Sequence, residues 1–334
     1  MMQIPQIKRL TLPKGYPTPE AMKSCNQNVH SYNPDIWELD YVTYRYLSRI
    51  AENDLQNRYH EIIRNMHSYT GPERDPIPLD SYQSSWYWFR KEHQTRLEFA
   101  LRELEPPVLP KLNHVLETFN KSGPTHPDIP DGTKIIFRYG KRKYMRQMVE
   151  QGRVRFSPAE LYESEENNAA RRDDELHKHS YMPGQYTTIR RESGEVTKPI
   201  GDIKRTVTGS KYHLVCFSCV WNVELFEDFQ ADTCVAVSAP EEFAKRLEVA
   251  SEPVFPGWYF LDMPVQYFDP YEMRKNEIFD STISKDFRLA YQNEYRILWS
   301  QMNASPIDGF QFVEIGPAQD IMTMYDVDGR EIPL

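Results

Sequence analysis

The sequence is short of glycine and lacks the motifs that mark the common nucleotide-binding and hydrolytic enzymes. Only 14 of its 334 residues are glycine, which is few for a protein that wraps phosphate groups in glycine-rich loops. The patterns G-x-x-x-x-G-K-[ST], G-x-G-x-x-G, H-E-x-x-H and G-x-S-x-G are all absent. At the level of motifs, their absence excludes a P-loop, a Rossmann phosphate loop, a zinc-protease helix and a hydrolase nucleophile elbow.

Cysteines and long apolar runs are also scarce. The four cysteines form no secreted disulfide framework. Cys216 and Cys219 make a C-x-x-C without a second pair or histidines at ligand spacing, so we predict structural thiols and no metal. No apolar run approaches the roughly 20 residues that span a bilayer, and the N-terminus lacks the apolar middle of a signal peptide. We therefore expect a cytoplasmic protein with reduced thiols and no membrane partner.

The charge is unevenly distributed along a chain whose formal net charge is −9. Residues 132–215 contain 17 Lys and Arg against 11 Asp and Glu, whereas residues 216–334 contain 8 against 21. The basic middle segment is therefore the place where an anionic partner is expected, either a phosphate or a nucleic acid.

The N-terminal part of the sequence predicts a helical domain. Residues 1–34 are polar and proline-bearing and predict an extended arm, and residues 35–120 predict helices. Apolar side chains recur every three or four residues over 35–67, which indicates one amphipathic helix or two joined near Asn53-Asp54. Further helices are predicted over about 81–105 and 110–119. Residues 121–132 hold three prolines and two glycines and predict a linker.

The remainder, residues 133–334, predicts an α+β domain of short strands and helices. The helix over 141–151 is expected to end at Gly152 as its C-cap. A polar region from 163 to 211 is left open, with hairpins as one interpretation. Strands are predicted at about 134–139, 154–157, 212–220, 233–238, 262–268, 292–299 and 311–315. The other helices are predicted at about 221–229, 240–249 and 270–281, with a helical turn at 158–162. The predicted fold class is α+β, a helical N-terminal domain followed by a mixed, β-rich domain.

Three of these strands carry polar residues where an ordinary core prefers none. They are Phe137-Arg138, Phe217-Ser218 and Gln292-Asn293-Glu294. Side chains two apart on a strand share a face. Gln292, Glu294 and Arg296 are therefore predicted to project to one side of the last strand.

This ordered set resembles the arginine–serine–glutamate class of ADP-ribosyltransferases. Those enzymes use an aromatic-arginine on the first core strand, a serine on a later strand and a Gln-x-Glu or Glu-x-Glu strand entry. The region over about 134–321 also resembles a family of uncharacterised bacterial proteins. Its strand motifs are matched here by Phe137-Arg138-Tyr139, Cys216-Phe217-Ser218 and Glu294-Tyr295-Arg296. The resemblance implies an ADP-ribosyltransferase-like core.

The resemblance implies that NAD is the substrate and that three residues are catalytic. Cleavage of the nicotinamide–ribose bond passes through an oxocarbenium-like state, which a fixed Glu294 carboxylate is expected to stabilise. Ser218 is expected to hydrogen-bond the ribose or to orient Glu294. Gln292 is expected to hold the incoming acceptor, as the residue two before the glutamate does in the family.

The same resemblance implies residues that bind NAD. Arg138 is expected to hold the dinucleotide phosphates through charge-assisted hydrogen bonds, with Ser218 beside it. An aromatic ring is expected to stack on the nicotinamide. The nearest aromatic residues are Tyr139, Phe156 and Tyr162, and the sequence does not choose among them.

The predicted function is an NAD-dependent mono-ADP-ribosyltransferase that acts as a bacterial toxin or antiphage effector on a macromolecule, with an antitoxin or activator as a possible further partner. The basic segment favours a nucleic acid, RNA or DNA, over a protein as acceptor. Two alternatives stay open, an NAD glycohydrolase and a non-enzymatic binding module. In the second, the aromatic residues of the N-terminal helices (Trp37, Tyr44, Trp86 and Trp88) dock a partner, and the C-terminal domain is a degenerate scaffold. Each site residue also has an ordinary interpretation: Arg138 as an exposed strand residue, Ser218 as a satisfied hydroxyl and Glu294 as the partner of Arg296 in a salt bridge.

Overall fold

The computed structural model describes residues 34–69, 82, 85–108, 127, 134–164, 173–272, 280–301 and 305–334. Three sequence predictions lie almost entirely outside these residues: the arm over 1–34, the helix over 110–119 and the linker over 121–132. The described residues form helices and mainly antiparallel sheets, so the α+β class is confirmed.

The chain divides into two compact units. The first comprises Met1–Gly123, Ser180–Arg205 and Asp269–Lys275. The second comprises Pro124–His179, Thr206–Phe268 and Asn276–Leu334. The division after Gly123 falls inside the predicted linker. The segments 180–205 and 269–275, which the sequence analysis assigned to the domain over 133–334, group instead with the helical unit.

In the first unit, three α-helices are described: α1 (Pro34–Thr43), α2 (Glu52–Tyr69) and α3 (Ser85–Leu101). The amphipathic stretch over 35–67 thus forms two helices rather than one. Arg102 stabilises the break between them, because its guanidinium donates to the carbonyl oxygens of Leu47 (2.5 Å) and Ile50 (2.6 Å). These bonds satisfy carbonyl groups in the connection between the two helices.

A buried ionic cluster connects residues 269–272 to the helices of this unit. The carboxylate of Asp269 accepts two hydrogen bonds from Arg58, at 2.9 and 2.7 Å, and one from Lys91 at 2.5 Å. Lys91 also pairs with Glu272. Arg58 and Lys91 lie on α2 and α3 and are almost completely buried, so their charges require a carboxylate from elsewhere in the chain.

The second unit contains an eight-stranded sheet. Strands β13 (Gln311–Glu314), β2 (Arg153–Pro158), β7 (Tyr212–Ser218), β1 (Ile136–Gly140), β8 (Thr233–Val237) and β14 (Met322–Tyr325) are neighbours in that order. Strand β12 (Glu294–Ser300) pairs with β7 and with β9 (Tyr259–Pro264). Two-residue alternation directs Tyr295, Ile297 and Trp299 into the main hydrophobic core.

The sheet forks along β7. One edge of this strand pairs with β12 over its whole length, from Tyr212 to Ser218. On the other edge, β2 pairs with His213 and Leu214, and β1 pairs with Ser218. Between these points, no strand among the described residues pairs with 215–217 on this edge. The fork leaves a gap in which side chains from β1, β2 and β7 meet.

The remaining elements complete the description. Helices α4 (Arg142–Gln151), α5 (Leu161–Ser164), α6 (Glu224–Asp228) and α7 (Pro240–Ser251) alternate with the strands. The other strands are β3 (His177–Met182), β4 (Ile189–Arg190), β5 (Val196–Thr197), β6 (Ile203–Thr208), β10 (Gln266–Phe268) and β11 (Ser284–Asp286). Strands β4 and β5 form a hairpin within the polar region that the sequence left open.

Two local predictions have clear outcomes. Gly152 is confirmed as the C-cap of α4, with φ of 63° and its N–H donating to the carbonyl of Gln147. The helix predicted over 270–281 is not supported where it can be checked, because residues 270–272 form a turn; residues 273–279 are outside the described part. No helix within the described ranges is both long and apolar enough to cross a membrane.

Candidate active site

The strand registers bring the predicted site strands together. Glu294 of β12 lies opposite Ser218 of β7, and Ser218 lies opposite Phe137 of β1. Residues opposite each other in an antiparallel pair project to the same face. The three motifs that are distant in sequence therefore meet at the end of β7, beside the fork.

A cleft of about 250 Å³ opens at this place. Its lining includes six of the seven residues predicted for the site: Arg138, Tyr139, Tyr162, Ser218, Gln292 and Glu294. The structure thus brings together the residues that the sequence assigned to catalysis and all but one of those assigned to NAD.

Phe156 is the exception. Its side chain is fully buried in the main hydrophobic core and packs edge-on against Phe255, with ring centroids 5.7 Å apart. Along β2, Arg155 and Ser157 line the cleft instead. Because successive side chains on a strand point to opposite faces, Phe156 faces away from the cleft. The prediction that Phe156 is one of the residues available to stack on nicotinamide is therefore not supported by its position.

Gln292 reaches the cleft by a different route from the one predicted. It is the last residue of a 3₁₀-helix, Phe287–Gln292, and not a strand residue. Asn293 follows with φ of 46°, in the left-handed region, and the strand begins at Glu294. The two-residue spacing on one strand is therefore wrong for Gln292, although its side chain still comes close to that of Glu294.

Ser218 and Tyr139 make hydrogen bonds to the segment that follows β7. The Ser218 hydroxyl donates to the carbonyl of Val220 at 2.9 Å. The Tyr139 hydroxyl donates to the same carbonyl at 3.3 Å and accepts from the N–H of Asn222 at 2.8 Å. Both side chains thus fix the turn at the end of the cleft in addition to lining it.

Arg138 spans the open edge of β7. Its guanidinium donates to the carbonyl oxygen of Cys216, and its guanidinium carbon lies 5.6 Å from the centroid of the Phe217 ring. The side chain is half-buried. A guanidinium has five N–H donors and can contact more than one acceptor.

Glu294 is part of a buried ionic network rather than an isolated carboxylate. Its Oε1 accepts from Nε of Arg296 at 2.6 Å, and its Oε2 accepts from Nζ of Lys285 at 2.6 Å. Lys285 also donates to Oε1 of Gln292 at 3.3 Å. The salt bridge between Glu294 and Arg296 that the sequence offered as an alternative is therefore present, and it is buried.

Glu175 is the second carboxylate of this network. It pairs with Nη2 of Arg296 at 2.8 Å and lies 3.5 Å from Nζ of Lys178 and 3.7 Å from Nζ of Lys285. The hydroxyl of Tyr212 donates to it at 3.0 Å. Glu175 does not line the cleft, and its role is to pair with Arg296 and Lys285.

The network keeps Glu294 ionised. Burial by itself raises the pKa of the Glu294 carboxyl, but Arg296 and Lys285 outweigh that effect and hold the pKa below its ordinary value. For Lys285, burial lowers the pKa, but Glu294 and Glu175 raise it above the usual value for lysine. The site therefore holds a full negative charge and a full positive charge side by side at neutral pH.

Several cleft residues were not predicted from the sequence, among them Arg155, Lys285 and Phe310. Lys285 lies on the three-residue strand β11, whose sequence Ser-Lys-Asp has no apolar period. Arg155 alternates with buried Val154 and Phe156, which is a signal for a solvent-facing residue but not for a cleft. Phe310 directly precedes β13. The charged lining consists of Arg138, Arg155, Lys285 and Glu294, three cations against one carboxylate.

The cysteine in the cleft is not suited to nucleophilic chemistry. Burial, with a further contribution from the Glu294 charge, raises the pKa of Cys216 to about 12, and burial raises that of Cys219 to about 11. The thiolate is the nucleophilic form, and the raised pKa disfavours it at neutral pH. This agrees with the structural role predicted for the C-x-x-C.

We expect iodoacetamide at pH 8 to alkylate Cys216 about 10³-fold more slowly in the native protein than in urea, because the thiolate fraction falls with the raised pKa. Peptide mass spectrometry over time measures the rate at each cysteine. In urea, all cysteines should react at similar rates. Rapid native labelling of Cys216 would contradict the assignment and indicate an activated thiol.

Comparison with known proteins found no matching protein-family model, no matching curated protein and no matching solved structure.

Proposed function

We propose that the cleft binds NAD and that the protein is an NAD-dependent mono-ADP-ribosyltransferase with a macromolecular acceptor. The observation that carries this proposal is the convergence of Arg138, Ser218, Gln292 and Glu294 on one cleft. These residues come from three separate parts of the sequence. A role as a bacterial toxin or antiphage effector follows only from the sequence resemblance.

The charge of the cleft supports an anionic ligand. Arg138, Arg155 and Lys285 outnumber the single carboxylate among the lining residues. A dinucleotide carries a diphosphate, for which guanidinium groups are the preferred partners because they donate two parallel hydrogen bonds. In this proposal, Arg138 and Arg155 face the diphosphate, and Tyr139 or Tyr162 contacts the nicotinamide ring.

In the reaction, the bond between the nicotinamide nitrogen and ribose C1′ breaks, and its electron pair leaves with nicotinamide. The acceptor then adds to C1′ and loses its proton. Positive charge grows on the ribose before the acceptor adds, and the Glu294 carboxylate stabilises it. Lys285 opposes this effect while it remains paired with Glu294. Its Nζ is only 3.7 Å from Glu175, so it can shift to that carboxylate when a ligand enters.

A second candidate function, a non-enzymatic binding module, is favoured by one specific observation. Both carboxylate oxygens of Glu294 already accept hydrogen bonds from buried cations. A carboxylate in these surroundings can have a purely structural role. It neutralises buried cations, and a buried cation without a partner is strongly destabilising. The two functions differ in whether NAD is consumed.

The test is incubation of the purified protein with NAD labelled in the adenine, together with separate pools of protein, RNA and DNA. The proposed function predicts release of nicotinamide and label that remains on one pool. Free ADP-ribose without transfer indicates the glycohydrolase. Intact NAD in every pool, together with no NAD binding in a calorimetric titration, refutes both enzymatic functions and leaves the binding module.

A further inference from the structure

An exposed face of the β2–β13 pair carries two arginine–phenylalanine pairs in a row. The guanidinium carbon of Arg155 lies 4.6 Å from the centroid of the Phe310 ring, and that of Arg153 lies 4.5 Å from the centroid of Phe312. The strand register places Phe312 opposite Arg155. We call these four residues the Arg–Phe ladder.

The ladder is open to solvent. Phe310 and Phe312 are 43% and 47% exposed, which is unusual for two large aromatic side chains so close together. The opposite face of the same strands carries Val154 and Val313, which are buried in the main core. Alternation along β2 and β13 therefore separates a packed face from an aromatic and basic one.

The ladder is continuous with the candidate active site. Arg155 and Phe310 line the cleft, whereas Arg153 and Phe312 extend away from it along the same strands. Ser157, two residues after Arg155, lies opposite Leu214 of β7, which is two pleats from Ser218 on the same face. A chain bound along the ladder is thus led to the cleft on the face that carries Ser218 and Glu294.

The charge of the ladder favours an anionic partner. In the part of the chain that the structure describes, Arg155 has no carboxylate partner. Arg153 lies 3.7 Å from Glu314, and both of these side chains are partly exposed, so the pairing is weak and screened. Arginine beside accessible aromatic rings is the combination that binds unpaired nucleotides, because bases stack on rings while guanidinium groups contact phosphates.

We infer that the Arg–Phe ladder binds a single-stranded nucleic acid and leads it to the cleft as the acceptor. The role as an acceptor surface rests on the proposed function, whereas the binding itself does not. Residues two apart on a strand are about 6.6 Å apart, which leaves room for one splayed nucleotide at each aromatic ring. A duplex keeps its bases stacked inside and cannot use these rings.

The experiment is fluorescence anisotropy with labelled single-stranded RNA and DNA of about 12 nucleotides, and with the corresponding duplexes, in the absence of NAD. The single strands are expected to bind more tightly than the duplexes. Phe310→Ala and Phe312→Ala are each expected to weaken binding by about fivefold or more. Arg153→Gln should reduce the slope of log affinity against log salt by about 0.7.

Tyr259→Ala is the matched control, because Tyr259 is 56% exposed and lies on β9, at the opposite edge of the sheet from β13. It should bind single strands as the wild type does.

Three results would each overturn the inference. They are failure of every oligonucleotide to bind at low salt, a preference for duplexes, and equal affinity of the Phe variants and the wild type. A protein that binds single strands through the ladder but releases no nicotinamide refutes the proposed enzymatic function alone. One that cleaves NAD but binds no oligonucleotide refutes the ladder alone, and transfer of label to protein identifies the competing acceptor.

Discussion

Glu294→Gln is expected to lower the rate of NAD cleavage by about 10²–10³, the typical cost of removing one fixed electrostatic stabiliser. Glutamine is close to glutamate in shape and keeps a carbonyl oxygen for Arg296 or Lys285. It removes the negative charge that the proposed mechanism uses against the oxocarbenium-like state. The initial rate of nicotinamide release at saturating NAD measures the effect.

The difficulty is that Glu294 also holds the fold together. When the charge of Glu294 is removed, Glu175 is the carboxylate that still pairs with both Lys285 and Arg296. Removal of one partner from a buried ion pair costs about 3–5 kcal/mol. Lower activity alone is therefore ambiguous. The rate must be compared with a variant that damages the same network without touching the cleft.

Glu175→Gln supplies that comparison. Glu175 pairs with the same two cations, is equally buried and does not line the cleft. We expect it to lose stability to a similar extent and to retain NAD cleavage within the order of magnitude of the wild type, at a temperature where both variants are folded. Equal activity losses in the two variants would show that Glu294 acts through the fold and would remove it from the proposed mechanism.

The elements that local patterns determine were predictable from the sequence. The alternation over 292–299 predicted a strand with one polar face, which forms over Glu294–Ser300, and the helical period over 141–151 with Gly152 after it predicted a capped helix. In each case, neighbouring residues along the chain decide the outcome. The order of three short motifs was also sufficient to name most of the cleft lining.

What depends on distant residues was not predictable. The polar alternation continues back to Gln292, yet Asn293 adopts a left-handed conformation and the strand begins only at Glu294, two residues later than the pattern predicts. Alternation along β2 separates Phe156 from Arg155, but it does not say which of the two faces the cleft. Lys285 enters the site because β11 pairs with β10, a contact between residues that are 18 positions apart at Ser284 and Gln266.

The division into units shows the same limit at a larger scale. Residues 269–275 have no pattern that assigns them to the helical unit. Within the described part of this segment, Asp269 and Glu272 contact the unit through ion pairs with α2 and α3. Such charge pairing follows from burial of both partners, and burial is a property of the folded chain.

Asp269→Asn is expected to lower the free energy of unfolding of the helical unit by about 3–5 kcal/mol, because it leaves the charges of Arg58 and Lys91 buried with too few anions. Both cations are at most 1% exposed. Glu272, which contacts Lys91, is the anion that remains. Hydrogen exchange in increasing urea, followed in peptides from α2 and α3, measures this unit separately from the sheet unit.

Glu195→Gln is the matched control in the same unit, because Glu195 pairs with Arg191 at 3.0 Å while both side chains are more than half exposed. An exposed pair of this kind contributes at most about 1 kcal/mol. A change for Asp269→Asn as small as the change for Glu195→Gln would contradict the view that this cluster attaches residues 269–272 to the helices.

The pH dependence gives an independent check on the same residue. Burial raises the pKa of Asp269, but Arg58 and Lys91 outweigh that effect and hold it below the ordinary value of 3.8. Because the pKa is lower in the folded state than in the unfolded state, the contribution of Asp269 to stability is complete above about pH 4–5 and is lost as the pH falls through the folded pKa.

Asp269→Asn removes this titration. The difference in unfolding free energy between the wild type and the variant should therefore be constant near neutral pH and shrink as the solution is acidified. A difference that stays constant down to the acid transition would mean that Asp269 acts through its shape and hydrogen bonds and not through its charge.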